Sequence, residues 1–236
     1  MSLSSLALKY LGRERVADLA SYSADRLGIV VNTPMRSLEA TRNRAVLRGE
    51  YIRASSLELV AREIYEKDVP GAVAELGVYR GDFAKLINAA FPNRTLYLFD
   101  TFTGFDEGDL KEDARNARIG DSYDDFTATS IALVLSKMEN KARCVVMPGI
   151  FPQSAEGCTE NRFAFVSIDC DLYRPIYEGL QYFYPKLSSG GYIFVHDYNN
   201  ACYQGAKQAV RQFASEQAIA YFPLTDSSGS AVFAKA

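Results

Sequence analysis

The sequence has a single histidine, His196, so a general base drawn from that residue type has one candidate. Its four cysteines, Cys144, Cys158, Cys170 and Cys202, show no CxxC spacing, and Cys144 and Cys170 lie inside apolar, strand-like runs where buried thiols are common. Neither a zinc site nor a disulfide framework is indicated. No stretch approaches the roughly 18–20 consecutive apolar residues that a spanning helix needs, and no basic segment followed by an apolar core marks a secretory leader. A soluble, cytoplasmic protein without a membrane partner is therefore expected. Basic residues are not in excess: 26 Lys and Arg against 29 Asp and Glu give a net charge of −3. That balance argues against a nucleic-acid partner and leaves a small molecule as the default ligand. Internal repeats and low-complexity tracts are absent.

With 48% apolar residues in 236 positions, the chain suits one domain with a sizeable core. Apolar residues at helical spacing from Leu57 to Lys67 predict a helix stopped by Val69-Pro70-Gly71, followed by a strand at Ala72–Leu76 and a returning helix over Asp82–Phe91. The alternation continues. Strands are expected at Thr95–Phe99, Arg143–Met147, Phe163–Ile168 and Tyr192–Val195, with helices at Thr127–Glu139, Pro175–Leu187 and Gln204–Gln217, the middle one closed by Ser188-Ser189-Gly190-Gly191. Such alternation of apolar strands with helices predicts an α/β fold, a doubly wound and mostly parallel sheet covered on both faces. The tail, Ala218–Pro223 and Ala231–Phe233 around a Ser/Gly turn, reads as an antiparallel hairpin. Residues 1–56, which include the arginine-rich Arg36–Arg53 stretch, read as a helical N-terminal cap before a catalytic domain at 57–236, with the arginines on a solvated face.

In open parallel sheets, ligands bind beyond the carboxyl ends of the strands, and four of the expected strand ends carry ionisable residues. Glu75-Leu76-Gly77-Val78-Tyr79-Arg80-Gly81 is a strand, a Gly-containing turn and a helix start that suits a nucleotide-type cofactor. It lacks the second glycine at which a dinucleotide pyrophosphate approaches the backbone, which disfavours NAD and FAD. S-adenosylmethionine has no phosphate; Glu75 can face its ammonium group, and Asp100, 25 positions on, can accept both ribose hydroxyls. In Asp169-Cys170-Asp171, an extended backbone would point both carboxylates to one side, and like charges held close call for a cation or a shared proton. An all-oxygen cluster completed by Asp197 favours magnesium, calcium or manganese. On the same assumption of extended backbone, the His196 ring faces away from Asp197.

The stretches Glu75–Gly81, Phe99-Asp100-Thr101-Phe102-Thr103-Gly104-Phe105, Pro148-Gly149-Ile150-Phe151-Pro152, Ile168-Asp169-Cys170-Asp171-Leu172-Tyr173, and Gly190-Gly191 leading to Asp197-Tyr198 together resemble the macrocin O-methyltransferase family. The likeness spans about residues 55–215. It implies a Rossmann-like core, S-adenosylmethionine as cofactor, a magnesium ion, a sugar-containing hydroxyl acceptor and often a homo-oligomer. Carried over by residue, it implies cofactor contacts from Glu75, Gly77, Tyr79, Gly81, Asp100, Thr101, Gly149, Phe151 and Asp169. It also implies metal ligation by Asp169 and Asp197, with Asp171 as the base or a further ligand; His196, the single histidine, is a second candidate base on its own chemistry. Family members commonly carry two adjacent aspartates where this chain has His196-Asp197. The paired aspartates also resemble a metal-dependent nucleotide-sugar glycosyltransferase motif, and a noncatalytic ligand-binding module of the same fold is a third reading.

Overall fold

The computed structural model describes residues 51–120 and 124–236. Helix α1 (Tyr51–Glu66) leads into strand β1 (Ala72–Leu76), followed by α2 (Ala84–Ala90), β2 (Leu96–Asp100), α3 (Glu107–Arg115), α4 (Ile131–Ser136) and β3 (Cys144–Pro148). The second half holds β4 (Phe163–Ile168), α5 (Tyr173–Lys186), β5 (Leu187–Val195), α6 (Gln204–Gln217), β6 (Phe222–Leu224) and β7 (Ser230–Ala234). The strands form one seven-stranded sheet in the order β3-β2-β1-β4-β5-β7-β6. Every pairing is parallel except those of β7, which runs antiparallel to both β5 and β6. This is the expected doubly wound sheet with its antiparallel tail.

The inner strands lack polar alternation because both of their faces are covered. On one face Leu76, Phe99, Phe163 and Ile168 pack under α5 and α6 through Ile176, Leu180, Phe183 and Phe213. On the other face Val73, Leu98, Phe165 and Phe194 meet Leu57 and Ile64 of α1 and Ile87 of α2. A side-chain carbon at Gly179 would stand 2.7 Å from the Leu76 side chain, so the missing side chain lets α5 sit close to the sheet. The strand order reverses between β1 and β4, and the crevice that positions the site opens above their carboxyl ends. Among the described residues no helix is long and apolar enough to cross a membrane.

Local structure departs from the sequence reading at four places. Helix α1 covers Tyr51–Glu66 and so extends ahead of the expected start at Leu57, which brings Arg53 into it, while residues 1–50 of the expected cap lie outside the described residues. Helix α4 spans only Ile131–Ser136 of the expected 127–139. The threonines ahead of it bond elsewhere: Thr127 donates to Asp125 Oδ1 and Thr129 Oγ1 donates to the Tyr79 carbonyl, while Ser130 Oγ caps the helix by accepting from Leu133 N–H. Local side-chain bonds of this kind compete with helix formation. The Ser188–Gly191 stretch lies within β5 rather than closing the preceding helix. A side chain at Gly191 would meet the carbonyl of Ala164 at 2.9 Å, so glycine there permits the strands to pair. Finally α3, which the periodicity did not reveal, starts at Asp106, whose side chain accepts from the N–H groups of Gly108 and Asp109.

Candidate active site

The turn after β1 is built around two glycines with left-handed backbone. Gly77 has φ +83°, and a side-chain carbon there would fall 2.0 Å from the carbonyl oxygen of Asp169, so no other residue lets the two strand-end turns touch. Asp100 ties this turn to β2: its Oδ2 accepts from the N–H of Val78 at 2.7 Å and of Tyr79 at 2.8 Å, and its Oδ1 from Phe102 N–H at 2.6 Å. The carboxylate expected at a ribose therefore also shapes the turn after β1. Thr101 Oγ1 donates to the Gly104 carbonyl and closes the turn after β2, and Gly149 N–H donates to the Asp100 carbonyl. The ring of Phe151, a residue expected at the cofactor, packs among Phe99, Tyr182 and Phe183 in the core.

Glu75 is 1% exposed on β1. Burial pushes its carboxyl well above the usual range, against the pull of Arg53, and the nearby Asp169 and Asp100 push it further. Its Oε2 has no hydrogen-bond partner among the described residues. An unsatisfied buried carboxylate oxygen beside a glycine cradle fits the ammonium of an amino-acid moiety such as that of S-adenosylmethionine.

Arg53, Asp169, His196 and Asp197 form the charged centre. Arg53, 2% exposed, stacks its guanidinium 3.8 Å from the Phe83 ring centroid and donates to Asp169 Oδ2 at 2.8 Å and to Ser167 Oγ at 2.9 Å. The reading of this arginine as part of a solvated face is corrected: it is an interior counter-charge. His196 Nδ1 lies 3.0 Å from Asp169 Oδ1 and 2.9 Å from Asp197 Oδ2, and Asn200 donates to Asp197 Oδ1 at 2.7 Å. The His196 ring thus faces Asp197, contrary to expectation, because β5 ends at Val195 and Asp197 takes φ +57°. Burial works against a charged imidazole, but the carboxylate of Asp169 outweighs it and pushes the His196 pKa up to about 12. Asp169 is held well below the carboxylate range: burial opposes this, and Arg53 and then His196 overcome it.

Asp171 is reached differently from the sequence argument. Strand β4 stops at Ile168 and Asp171 has φ +61°, so the extended-strand alternation does not apply; a left-handed turn buries the carboxyl instead. Burial pushes its pKa well above the carboxylate range, with Asp197 and Asp169 adding to the rise. Cys170 between them is a free, half-buried thiol donating to the Leu76 carbonyl. Tyr203, whose hydroxyl accepts from Asp124 N–H, is pushed upward by burial and then by Asp171. Its ring continues through Phe105 and Phe126 to Tyr79, with centroid separations of 6.0, 5.1 and 5.0 Å along that path. Sequence reasoning did not single out this aromatic wall, which is assembled from segments distant in the chain.

The donor atoms of Asp169, His196 and Asp197 lie within 4.8 Å of one another, a spacing that suits a cation, and Asp171 is not one of that group. The arrangement nevertheless does not fit a divalent ion. The two oxygens of Asp169 lie against nitrogen atoms of Arg53 and His196, and the two of Asp197 against those of His196 and Asn200. An inner-sphere ion would need those oxygens and would face a guanidinium at the same carboxylate.

An open sheet in this order, with a glycine turn and acids converging above its parallel strands, defines a Rossmann-like methyltransferase. The sequence matches the family described as Macrocin-O-methyltransferase (TylF) over residues 47–235, and the chain belongs to that family of S-adenosylmethionine-dependent O-methyltransferases. This removes the glycosyltransferase alternative. It is 25% identical over 193 residues to the 8-demethyl-8-(2,3-dimethoxy-alpha-L-rhamnosyl)-tetracenomycin-C 4'-O-methyltransferase of Streptomyces olivaceus, covering 77% of this chain and 72% of the relative. It is 27% identical over 183 residues to the mycinamicin III 3''-O-methyltransferase of Micromonospora griseorubida, covering 71% and 69%. Among solved structures, the calicheamicin methyltransferase CalS11 superposes with a TM-score of 0.63 at 21% identity over 92% of this chain and 91% of that one. The O-methyltransferase NovP gives 0.61 at 24% identity over 78% and 79%. Both structures share the fold.

Proposed function

We propose that this chain transfers the methyl group of S-adenosylmethionine to a hydroxyl of a sugar-containing small molecule, with Asp171 accepting the hydroxyl proton. The observation that carries this is Asp171 itself: a buried carboxyl with raised proton affinity, beside the turn that Gly77 presses against Asp169. A base in such a setting holds a proton more tightly than a solvated carboxylate does, which suits it to an alcohol. The hydroxyl oxygen forms the new bond to carbon, the carbon–sulfur bond breaks with its electron pair passing to sulfur, and the proton passes to Asp171. Glu75 and the Gly77–Gly81 turn hold the amino-acid end of the cofactor, and Asp100 lies where the ribose hydroxyls would reach its remaining acceptor positions. No step requires a divalent ion.

Two features support a sugar-containing acceptor. The relative from Streptomyces olivaceus bears the name of an O-methyltransferase of a rhamnosyl-bearing compound. The wall of Tyr79, Phe105, Phe126 and Tyr203 also offers ring faces on which the C–H face of a pyranose, or an attached aglycone, packs next to the acids. The test is methyl transfer from labelled S-adenosylmethionine to a panel of nucleotide-activated deoxysugars, glycosylated macrolides and catechols. Methyl ethers formed on sugar hydroxyls are expected; transfer confined to catechols, or to none of the panel, overturns the reading.

A further inference from the structure

The charged centre carries one inference beyond the family reading, and it rests on methyl transfer occurring at this site. We propose that the Arg53 guanidinium and the His196 imidazole stand in for a metal ion, bridging Asp169 and Asp197 so that the site works without a divalent cation.

Three observations support this. First, the guanidinium is built in rather than adventitious. Arg53 is fixed at three points, by Asp169 Oδ2 at 2.8 Å, by Ser167 Oγ at 2.9 Å and by the Phe83 ring 3.8 Å away, and only 2% of the residue is exposed. Arginine keeps its charge at any working pH, so Asp169 has a permanent partner. Second, His196 Nδ1 sits between two acid oxygens at 3.0 and 2.9 Å, so a ring nitrogen occupies the space between the two carboxylates. A metal bridging the same two carboxylates would need that position. Third, the remaining Asp197 oxygen is taken by Asn200 at 2.7 Å, leaving neither carboxylate with an oxygen free of a donor. The Arg53 guanidinium already sits on Asp169, whereas Asp at position 196 would replace the nitrogen between the two carboxylates by a third carboxylate. Arg53 and His196 are thus positioning residues: they fix the carboxylates around Asp171 and do not touch the reacting atoms.

The experiment uses the full chain, stripped with chelator and saturated with S-adenosylmethionine. Mg2+ and Mn2+ are titrated by calorimetry and by thermal unfolding, alongside His196→Asp. For the wild type, no saturable heat, no rise in Tm up to millimolar ion and an undiminished rate in chelator are expected. The His196→Asp protein, with its added carboxylate, should acquire an ion-dependent rise in Tm. Saturable sub-millimolar binding by the wild type that Asp169→Asn abolishes, or a rate lost on chelation and restored by Mg2+, overturns the proposal. A folded His196→Asp protein that binds neither ion also counts against it; if that variant does not fold, the wild-type titration decides alone. Arg53→Gln is expected to turn over about tenfold more slowly or worse and to regain rate with Mg2+, a response that a purely structural role for the arginine would not produce. A slow Arg53→Gln protein indifferent to Mg2+ removes Arg53 from the proposal. Failure of methyl transfer to every hydroxyl acceptor would instead overturn the functional reading and leave the ion titrations to judge this one.

Discussion

Arg53 of α1 and Asp169 beyond β4 lie 116 positions apart and meet through a 2.8 Å contact between Nη1 and Oδ2. The contact couples the first described helix to the acid at the centre of the charged cluster, whose carbonyl the Gly77 turn touches. Breaking it by removing one partner leaves an uncompensated buried charge, which costs far more than an exposed pair is worth.

Asp171→Asn keeps the shape of the side chain and removes its ability to take a proton. The expected result is a fall in kcat of about 10²-fold or more with S-adenosylmethionine affinity little changed. Single-turnover kinetics beside calorimetry separate the two quantities, and a variant with near-normal kcat would exclude Asp171 as the base.

Glu75→Gln separates binding from stability. The folded-state pKa of Glu75 lies above its unfolded value, so ionisation costs stability as pH rises past the ordinary carboxylate range. Glutamine removes that cost and also the charge offered to the cofactor ammonium. S-adenosylmethionine affinity should drop roughly tenfold to a hundredfold, from about 1.5–3 kcal/mol for a hydrogen bond to a charged group. Urea unfolding at pH 7.5 should meanwhile show no loss of stability.

Gly77→Ala should be among the most damaging small substitutions in the chain. The added carbon would sit 2.0 Å from the Asp169 carbonyl oxygen at a backbone φ of +83°. Either the two turns separate or the backbone flips. A loss on the order of 2–4 kcal/mol with abolished cofactor binding is expected; thermal unfolding within a degree of wild type would contradict the close contact.

Asp109 offers a pH test away from the site. Burial pushes its pKa up to about 6, with Arg174 opposing. Below about pH 4 both folded and unfolded forms are protonated and nothing is lost; as pH rises from 4 through 6 the unfolded chain ionises first and stability falls. Asp109→Asn should therefore stabilise the protein by on the order of 1–3 kcal/mol at pH 8, at about 1.36 kcal/mol per pKa unit, and by little at pH 4. A pH-independent difference would show that burial is not the cause.

Phe126→Ala removes the middle ring of the aromatic wall. With the acids untouched, the main expected change is a several-fold rise in KM for the glycosylated acceptor, while KM for S-adenosylmethionine holds.

Much of this molecule was legible one residue at a time. Short apolar runs such as Ala72–Leu76 and Phe163–Ile168, bounded by turn residues, read as strands covered on both faces, and their alternation with helices predicts a parallel sheet with its crevice at the carboxyl ends, where Glu75, Asp100, Asp169 and Asp197 lie. Gly77 and Gly81 marked a turn after β1, where both take left-handed backbone, which is open chiefly to glycine. What depended on tertiary structure was every feature set by distant segments or by a break in local periodicity. The side on which Asp171 and His196 point follows from turns at Asp171 and Asp197 that no alternation rule covers. Whether Arg53 meets solvent or Asp169 is decided by the packing of α1 on the sheet, since a helical arginine surrounded by other arginines reads as exposed until an interior carboxylate lies within its reach. The state of the acidic cluster follows from the same packing: charge pairing falls off with distance, and only the folded chain brings these four side chains close enough to neutralise one another.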